Sequence, residues 1–235
     1  MLILSMLRYI IISLLCFVGL MHSNAQNTRQ NNKQATDTVV KDVYRGVRLD
    51  LDIAPVFTHL INKGERNTFE AGVAVNLLDK YYPVVEFGYG SSDVLSETNI
   101  GFKSNGFFTR LGFDINLMKP QVDAIPSKNV FFAGIRIGFS PVSYSYSNVT
   151  SDNGYWGNVT LLNYDDRHSF SQWYEIVGGL RVEVFKNVFM GWTVRLKNVL
   201  GGPKAGQIYP WYIPGYGVKG DTANTGFNYT IGYKF

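Results

Sequence analysis

Phe107-Phe108-Thr109-Arg110-Leu111-Gly112-Phe113-Asp114-Ile115-Asn116-Leu117 alternates without a break. The odd positions are Phe, Thr, Leu, Phe, Ile and Leu, and the even ones include Arg110, Gly112 and Asp114. A period of two belongs to a β-strand with one apolar and one polar face. The polar face decides what kind of strand it is. A solvated face ordinarily carries Lys, Thr, Ser and Gln and avoids glycine, which weakens a strand. Here long charged side chains alternate with glycine, as a narrow barrel interior requires.

The same pattern recurs along the chain. It predicts eight strands, at 46–58, 67–77, 81–90, 106–117, 129–140, 172–184, 188–198 and 226–235. The apolar rows, such as Val47-Leu49-Leu51, Val85-Phe87-Tyr89, Ile135-Ile137-Phe139 and Phe227-Tyr229-Ile231-Tyr233-Phe235, fill 43 positions without one charge. A chain that is 17% charged would place about seven there by chance. Every charge in these strands falls on the other face. The acids are Asp50, Asp52, Glu70, Glu86, Asp114, Glu175 and Glu183, and the bases are Arg48, Arg110, Arg136, Arg181, Arg195, Lys197 and Lys234. Unpaired charges in a confined interior cost several kcal/mol each, so a matched set is what such an interior needs. The expectation is an all-β fold, an eight-stranded antiparallel up-and-down transmembrane β-barrel over residues 44–235.

Loop lengths support that topology. With both termini on one side, Leu78-Asp79-Lys80 and Phe185-Lys186-Asn187 read as short turns. The opposite connections near 91–105, 141–171 and 199–225 read as long loops. The links Leu60–Arg66, short for an outer loop, and Met118–Lys128, long for a turn, fit less well.

The N-terminus is read as an address. Arg8 precedes the apolar run Tyr9–Met21, and Ser23-Asn24-Ala25 places small residues at a cleavage site, so residues 1–25 form a secretion signal. The run is shorter than the ~20 residues of a membrane-spanning helix. Residues 26–43, rich in Asn, Gln, Thr and Lys, read as a disordered polar tether. Without Arg8, Cys16 and His22 the remainder has no cysteine, two histidines, and 21 basic against 18 acidic residues. That excludes a disulfide scaffold and cysteine-based zinc or redox motifs, and gives no footprint for a nucleic-acid partner. At the other end, Phe227, Tyr229, Tyr233 and Phe235 resemble the terminal aromatic signal read by the outer-membrane insertion machinery. The usual glycine of that signal falls at Thr230, with Gly232 beside it.

Several stretches resemble a known family: Tyr82-Pro83-Val84-Val85-Glu86-Phe87-Gly88-Tyr89-Gly90, Phe108–Asp114, Tyr155-Trp156-Gly157, Gly191-Trp192-Thr193-Val194-Arg195 and Tyr212-Ile213-Pro214-Gly215-Tyr216-Gly217. In that order they resemble domain-of-unknown-function family 6048 of Bacteroidetes-type bacteria, from about Val43 to Phe235. The resemblance implies a small outer-membrane β-barrel. It implies no activity and carries over no functional residue.

Chemistry is sparse. Asp165-Asp166-Arg167-His168-Ser169 is the one stretch that groups acid, imidazole and hydroxyl. It reads as a solvated loop tip rather than a catalytic or metal site. Pro210–Gly217 is unusually aromatic for a loop and reads as folded over the barrel mouth on Tyr144, Tyr146 and Trp156, or as a contact platform. Gly201–Gly206 reads as a flexible turn, Asn148-Val149-Thr150 and Asn158-Val159-Thr160 as chance acceptor patterns, and Tyr81, Tyr89, Phe107, Trp173 and Tyr174 as interface girdles. The expectation is therefore a monomeric, non-enzymatic outer-membrane barrel with a plugged lumen, no cofactor, metal or nucleic acid, and contacts to lipid, lipopolysaccharide and the insertion machinery through Phe235. Its rivals are a soluble periplasmic barrel holding an apolar ligand, a narrow channel and an enzyme at the rim.

Overall fold

A computed structural model describes residues 43–56, 66–118, 129–152, 159–200, 208–220 and 223–235. The secretion signal, nearly all of the tether, Phe57, most of the links before Arg66 and after Met118, Trp156, Asn158 and the 201–206 turn lie outside them.

Eight long strands close into one antiparallel barrel. They are β1 (Tyr44–Asp52), β2 (Arg66–Leu77), β3 (Tyr81–Leu95), β4 (Gly101–Asn116), β5 (Val130–Asp152), β6 (Val159–Phe185), β7 (Val188–Val199) and β10 (Asn224–Lys234). Each pairs with its neighbour in sequence, and β1 closes on β10 through Arg48↔Lys234 to Asp52↔Thr230. Two further strands, β8 (Tyr212–Ile213) and β9 (Gly217–Val218), form a separate hairpin.

Facing follows the alternation. The outward row is exposed, with Ile135 at 65%, Ile176 at 55% and Leu111 at 50%, while inward Arg110 and Asp114 are at 1% and 0%. The inversion is the signature of the fold: along the barrel wall the charges are buried inside and many large apolar side chains are exposed outside. Inward glycines leave the room these side chains need. A Cβ at Gly138 would strike the indole of Trp173, so only glycine lets that ring lie across the lumen.

Short turns join one end. Between β2 and β3 both Leu78 (φ 58°) and Asp79 (φ 57°) are left-handed, and Lys80 N donates to Leu77 O, the geometry of a type I′ hairpin turn. The Asn76 side chain, bonded to Asp79 N at 3.0 Å and to Asp79 Oδ1 at 2.8 Å, holds this otherwise costly backbone. We call this the turn end and the opposite end the mouth.

At the mouth two of the three expected long loops, 91–105 and 141–171, are largely strand among the described residues. The 141–171 segment is not a loop: β5 runs on to Asp152 and β6 begins at Val159, so the two strands reach 23 and 27 residues in all and their upper parts rise above the barrel. Most of 91–105 is likewise strand, leaving a tight connection at 96–100 closed by Ser96 N to Ile100 O. Ser, Asn and Tyr dominate these extensions, so the polar/apolar contrast that marks a strand fades while the ladder continues. β1 is shorter than expected, ending at Asp52 before a helical turn at 54–56. There the Asp52 carboxylate accepts from Ala54 N at 3.0 Å, a local bond that competes with the ladder.

Candidate functional site

The lumen is filled in layers. Nearest the turn end, Ala74, Tyr82, Val84, Val130, Phe132 and Val177 make an apolar cluster. Beside and above it lies a belt of eight charged side chains carried by β2 to β7, with Asp114 and Arg181 level with the cluster, opposite Tyr82 and Val130. Arg110 donates to Glu70 at 2.6 Å and Glu86 at 3.1 Å, and its Nε lies 2.8 Å from Glu175. Arg195 reaches Glu86 at 2.8 Å, Glu175 at 3.0 Å and Glu70 at 3.2 Å. Arg136 joins Glu86 (3.2 Å) to Asp114 (2.7 Å), and Arg181 meets Asp114 at 2.6 Å. The belt is four guanidiniums against four carboxylates. Asn228 extends it, accepting from Arg195 Nε and donating to Asp52 and Glu70.

Arginine suits this belt because its planar fork offers several donors and stays charged when buried. The strand register sets the spacing: Glu86↔Arg110 and Arg136↔Glu175 are directly opposed rungs. A small cavity of about 30 Å³ lies beside the belt between Asp50, Asp52, Glu70, Arg136, Arg181 and Arg195. It has room for about two waters.

Above the belt the β8–β9 hairpin packs inside the mouth. Ile213 (0% exposed) and Tyr216 pack with Phe108 and Trp173, and Tyr212 packs with Phe102, Val142 and Tyr144. The hairpin's tip carbonyl, Gly215 O, accepts from Arg110 Nη2 and Lys197 Nζ, both at 2.8 Å. Gly215 is left-handed at φ 78°, and a Cβ there would meet the Phe108 ring, so glycine is required twice over. The Tyr144 hydroxyl donates to Ile208 O, and that of Tyr146 to Tyr209 O at 2.9 Å. Burial pushes the Tyr212 phenol above its usual range against the opposing bond to Thr68 at 3.3 Å, and also raises Tyr216. Both therefore stay neutral near pH 7.

The stretches singled out in the sequence fare differently. The Pro210–Gly217 stretch does fold onto Tyr144 and Tyr146; Trp156 lies outside the described residues. Trp173, expected in an outer girdle, points inward instead, with its indole N–H on Glu175 at 2.6 Å. Tyr174 takes the outward place, since adjacent residues cannot share a face. Asp165–Ser169 is no loop tip: it lies on β6 at a bulge, with Asp166 left-handed (φ 51°). His168 Nδ1 is 3.0 Å from Ser143 Oγ at an exposed site, and among the described residues no carboxylate is bonded to that ring. Among the described residues no group of three or more His, Cys, Asp or Glu is placed to hold a metal.

Sequence reasoning missed Lys197 as a partner of the hairpin. It was one charge in a balanced set, and nothing in its strand signals that its acceptor is a distant carbonyl.

Among solved structures the chain is similar to the N-terminal β-barrel domain of Pseudomonas aeruginosa OprF, at 11% identity and a TM-score of 0.44, over 81% of this chain and 97% of that one. Among curated proteins none matches. The family described as "Domain of unknown function (DUF6048)" matches residues 6–235, and the chain belongs to that family.

Proposed function

We propose that the protein is a small integral barrel of the outer membrane, closed to solute flow, that acts without catalysis as a structural or surface-interaction element. One observation carries this reading: the outward face changes character at a fixed height. On β3 the row runs Tyr81, Pro83, Val85, Phe87, Tyr89 and then Ser91, Asp93; on β4 it runs Phe113, Leu111, Thr109, Phe107 and then Asn105, Lys103. Aromatic pairs mark both limits, Tyr89–Phe107 (5.1 Å) and Phe139–Phe170 (6.4 Å) toward the mouth, Tyr81–Phe113 (5.7 Å) and Tyr233–Phe235 (4.9 Å) toward the turns. From Tyr81 to Tyr89, eight steps of ~3.4 Å give ~27 Å along the strand, or ~21 Å across a barrel tilted by ~40°. That approaches the ~25 Å apolar band of outer-membrane barrels.

The contents of the lumen support the closed reading. The belt spans the tube and the hairpin packs inside the mouth, which speaks against a porin. A ligand-holding soluble barrel needs an apolar chamber of several hundred Å³. The cavity beside the belt is about 30 Å³ and lined mostly by charge. On this reading the secretion signal is cleaved after Ala25, Phe235 ends the strand read by the insertion machinery, and the monomer contacts lipid and lipopolysaccharide. Membrane fractionation with heat-modifiable gel mobility tests it. A soluble periplasmic protein, or steady porin-sized current in planar bilayers, overturns it.

A further inference from the structure

Lys197 is the exception in the lumen. Arg48, Arg110, Arg136, Arg181 and Arg195 each have a carboxylate at 2.8 Å or closer. Lys197 Nζ, on a side chain only 8% exposed, donates to two neutral oxygens instead, Gly215 O at 2.8 Å and Tyr216 O at 3.4 Å. Among the described residues no carboxylate comes within ion-pair distance of it. A buried ammonium and a buried guanidinium thus converge on one carbonyl, where a full negative charge would bind about twice as strongly as a neutral acceptor.

The surroundings complete a pocket shape. Arg110 stacks on Phe108 at 4.6 Å, and Trp173 meets Tyr216 edge-on at 6.1 Å. The occupant is not woven into the wall, because the hairpin pairs only with itself, through Tyr212↔Val218 and Ile213↔Gly217. It can leave without breaking a rung of the barrel.

We propose that Arg110 and Lys197, walled by Phe108 and Trp173, form a binding site for a monocarboxylate with an apolar body, and that the hairpin is its built-in occupant. The Gly215 carbonyl stands where the carboxylate head binds, and Ile213 and Tyr216 stand where the body packs. A single charge fits because Glu70, Glu86 and Glu175 already engage Arg110 and Arg195, while Lys197 makes no ion pair among the described residues. A dianion would face Glu175.

A reversible lock tests this in the full-length protein. A Cβ built on Gly90 lies 3.1 Å from Pro214 Cβ, close to disulfide spacing after a small shift. In a Cys16→Ser background, Gly90→Cys with Pro214→Cys should pin the hairpin when oxidised and free it when reduced. The probe is 3-phenylpropionate, titrated calorimetrically into folded protein in detergent, with the neutral 3-phenylpropanamide as control. The reduced form should bind the acid and not the amide, and the oxidised form should bind neither. Tyr216→Ala, which favours the open hairpin, should tighten binding by about tenfold, since apparent affinity scales with the competent fraction. Lys197→Met should weaken it by about tenfold or more. Equal binding by oxidised and reduced protein, equal binding of acid and amide, or no binding by both the reduced pair and Tyr216→Ala overturns the proposal. Heat-modifiable mobility reports folding of each variant, and the lock leaves every lumen charge in place.

Discussion

The ionic belt and the mouth hairpin fill the same tube by opposite means. The belt brings eight charges from six strands, each placed by its rung in the ladder, and it cross-links the wall. The hairpin brings no charge, stands outside the barrel ladder, and docks through aromatic bulk and carbonyl oxygens. Groups borne on the wall stabilise the whole barrel, whereas a docked insert stabilises only itself. Belt and hairpin should therefore separate in experiment as global and local stability.

The sharpest break is Arg195→Ala. It leaves Glu70 and Glu175 with Arg110 as their one remaining near guanidinium and Glu86 with Arg110 and Arg136, and it frees the Asn228 oxygen. Removing one member of a buried charge network costs ~3–5 kcal/mol. The urea midpoint of the folded barrel should fall accordingly. An unchanged midpoint would mean that the belt is filler rather than cross-link.

Next in size is a charge on the outside. Leu111→Arg places a cation mid-band on the outward face, at ~2–4 kcal/mol in a bilayer. Loss of heat-modifiable, protease-resistant barrel is the expected readout, with outward Gly178→Ala, where an added Cβ meets little, as the tolerated contrast.

Tyr216→Ala probes the other region. It deletes a buried ring beside Trp173, yet it should leave the global midpoint nearly unchanged. The cost, ~1–3 kcal/mol for a truncated aromatic at a site free to rearrange, should fall on hairpin docking alone. Hydrogen exchange at 212–218 should speed up while β4 and β5 keep their protection. A matching fall in the global midpoint would join the two regions into one unit.

The same contrast explains what was legible in the sequence. Belt residues announced themselves because strand alternation is a local signal: Arg110 and Asp114 sit two steps either side of Gly112, and their facing follows from the period alone. Strand count and orientation came with it. Which acid meets which base did not, because Glu70 and Glu175 reach Arg110 across an intervening strand, through curvature of the wall. The β5–β6 extension was missed because Ser143, Ser145 and Ser147 give the outward row none of the apolar contrast that a strand is read by. The hairpin was legible only as an aromatic anomaly. Its depth depends on Lys197 and Arg110, nearly twenty and more than a hundred residues away.

The smallest expected effect lies above the aromatic limit, where Lys103 meets Asp93 at 2.9 Å with side chains 71% and 68% exposed. This pair has the short distance of a belt pair and none of its surroundings. In water the Coulomb attraction is screened, and two long side chains lose rotamer freedom to hold it, so such pairs are worth ~0.2–1 kcal/mol. Lys103→Ala should therefore move the urea midpoint by less than about 0.5 kcal/mol, and raising the salt should erase even that. Arg195→Ala should keep most of its cost in the same salt, because its partners lie where counterions do not reach. The ratio of the two losses, read at low and high salt, measures burial directly. If both respond to salt alike, the belt is open to solvent and the closed lumen fails with it.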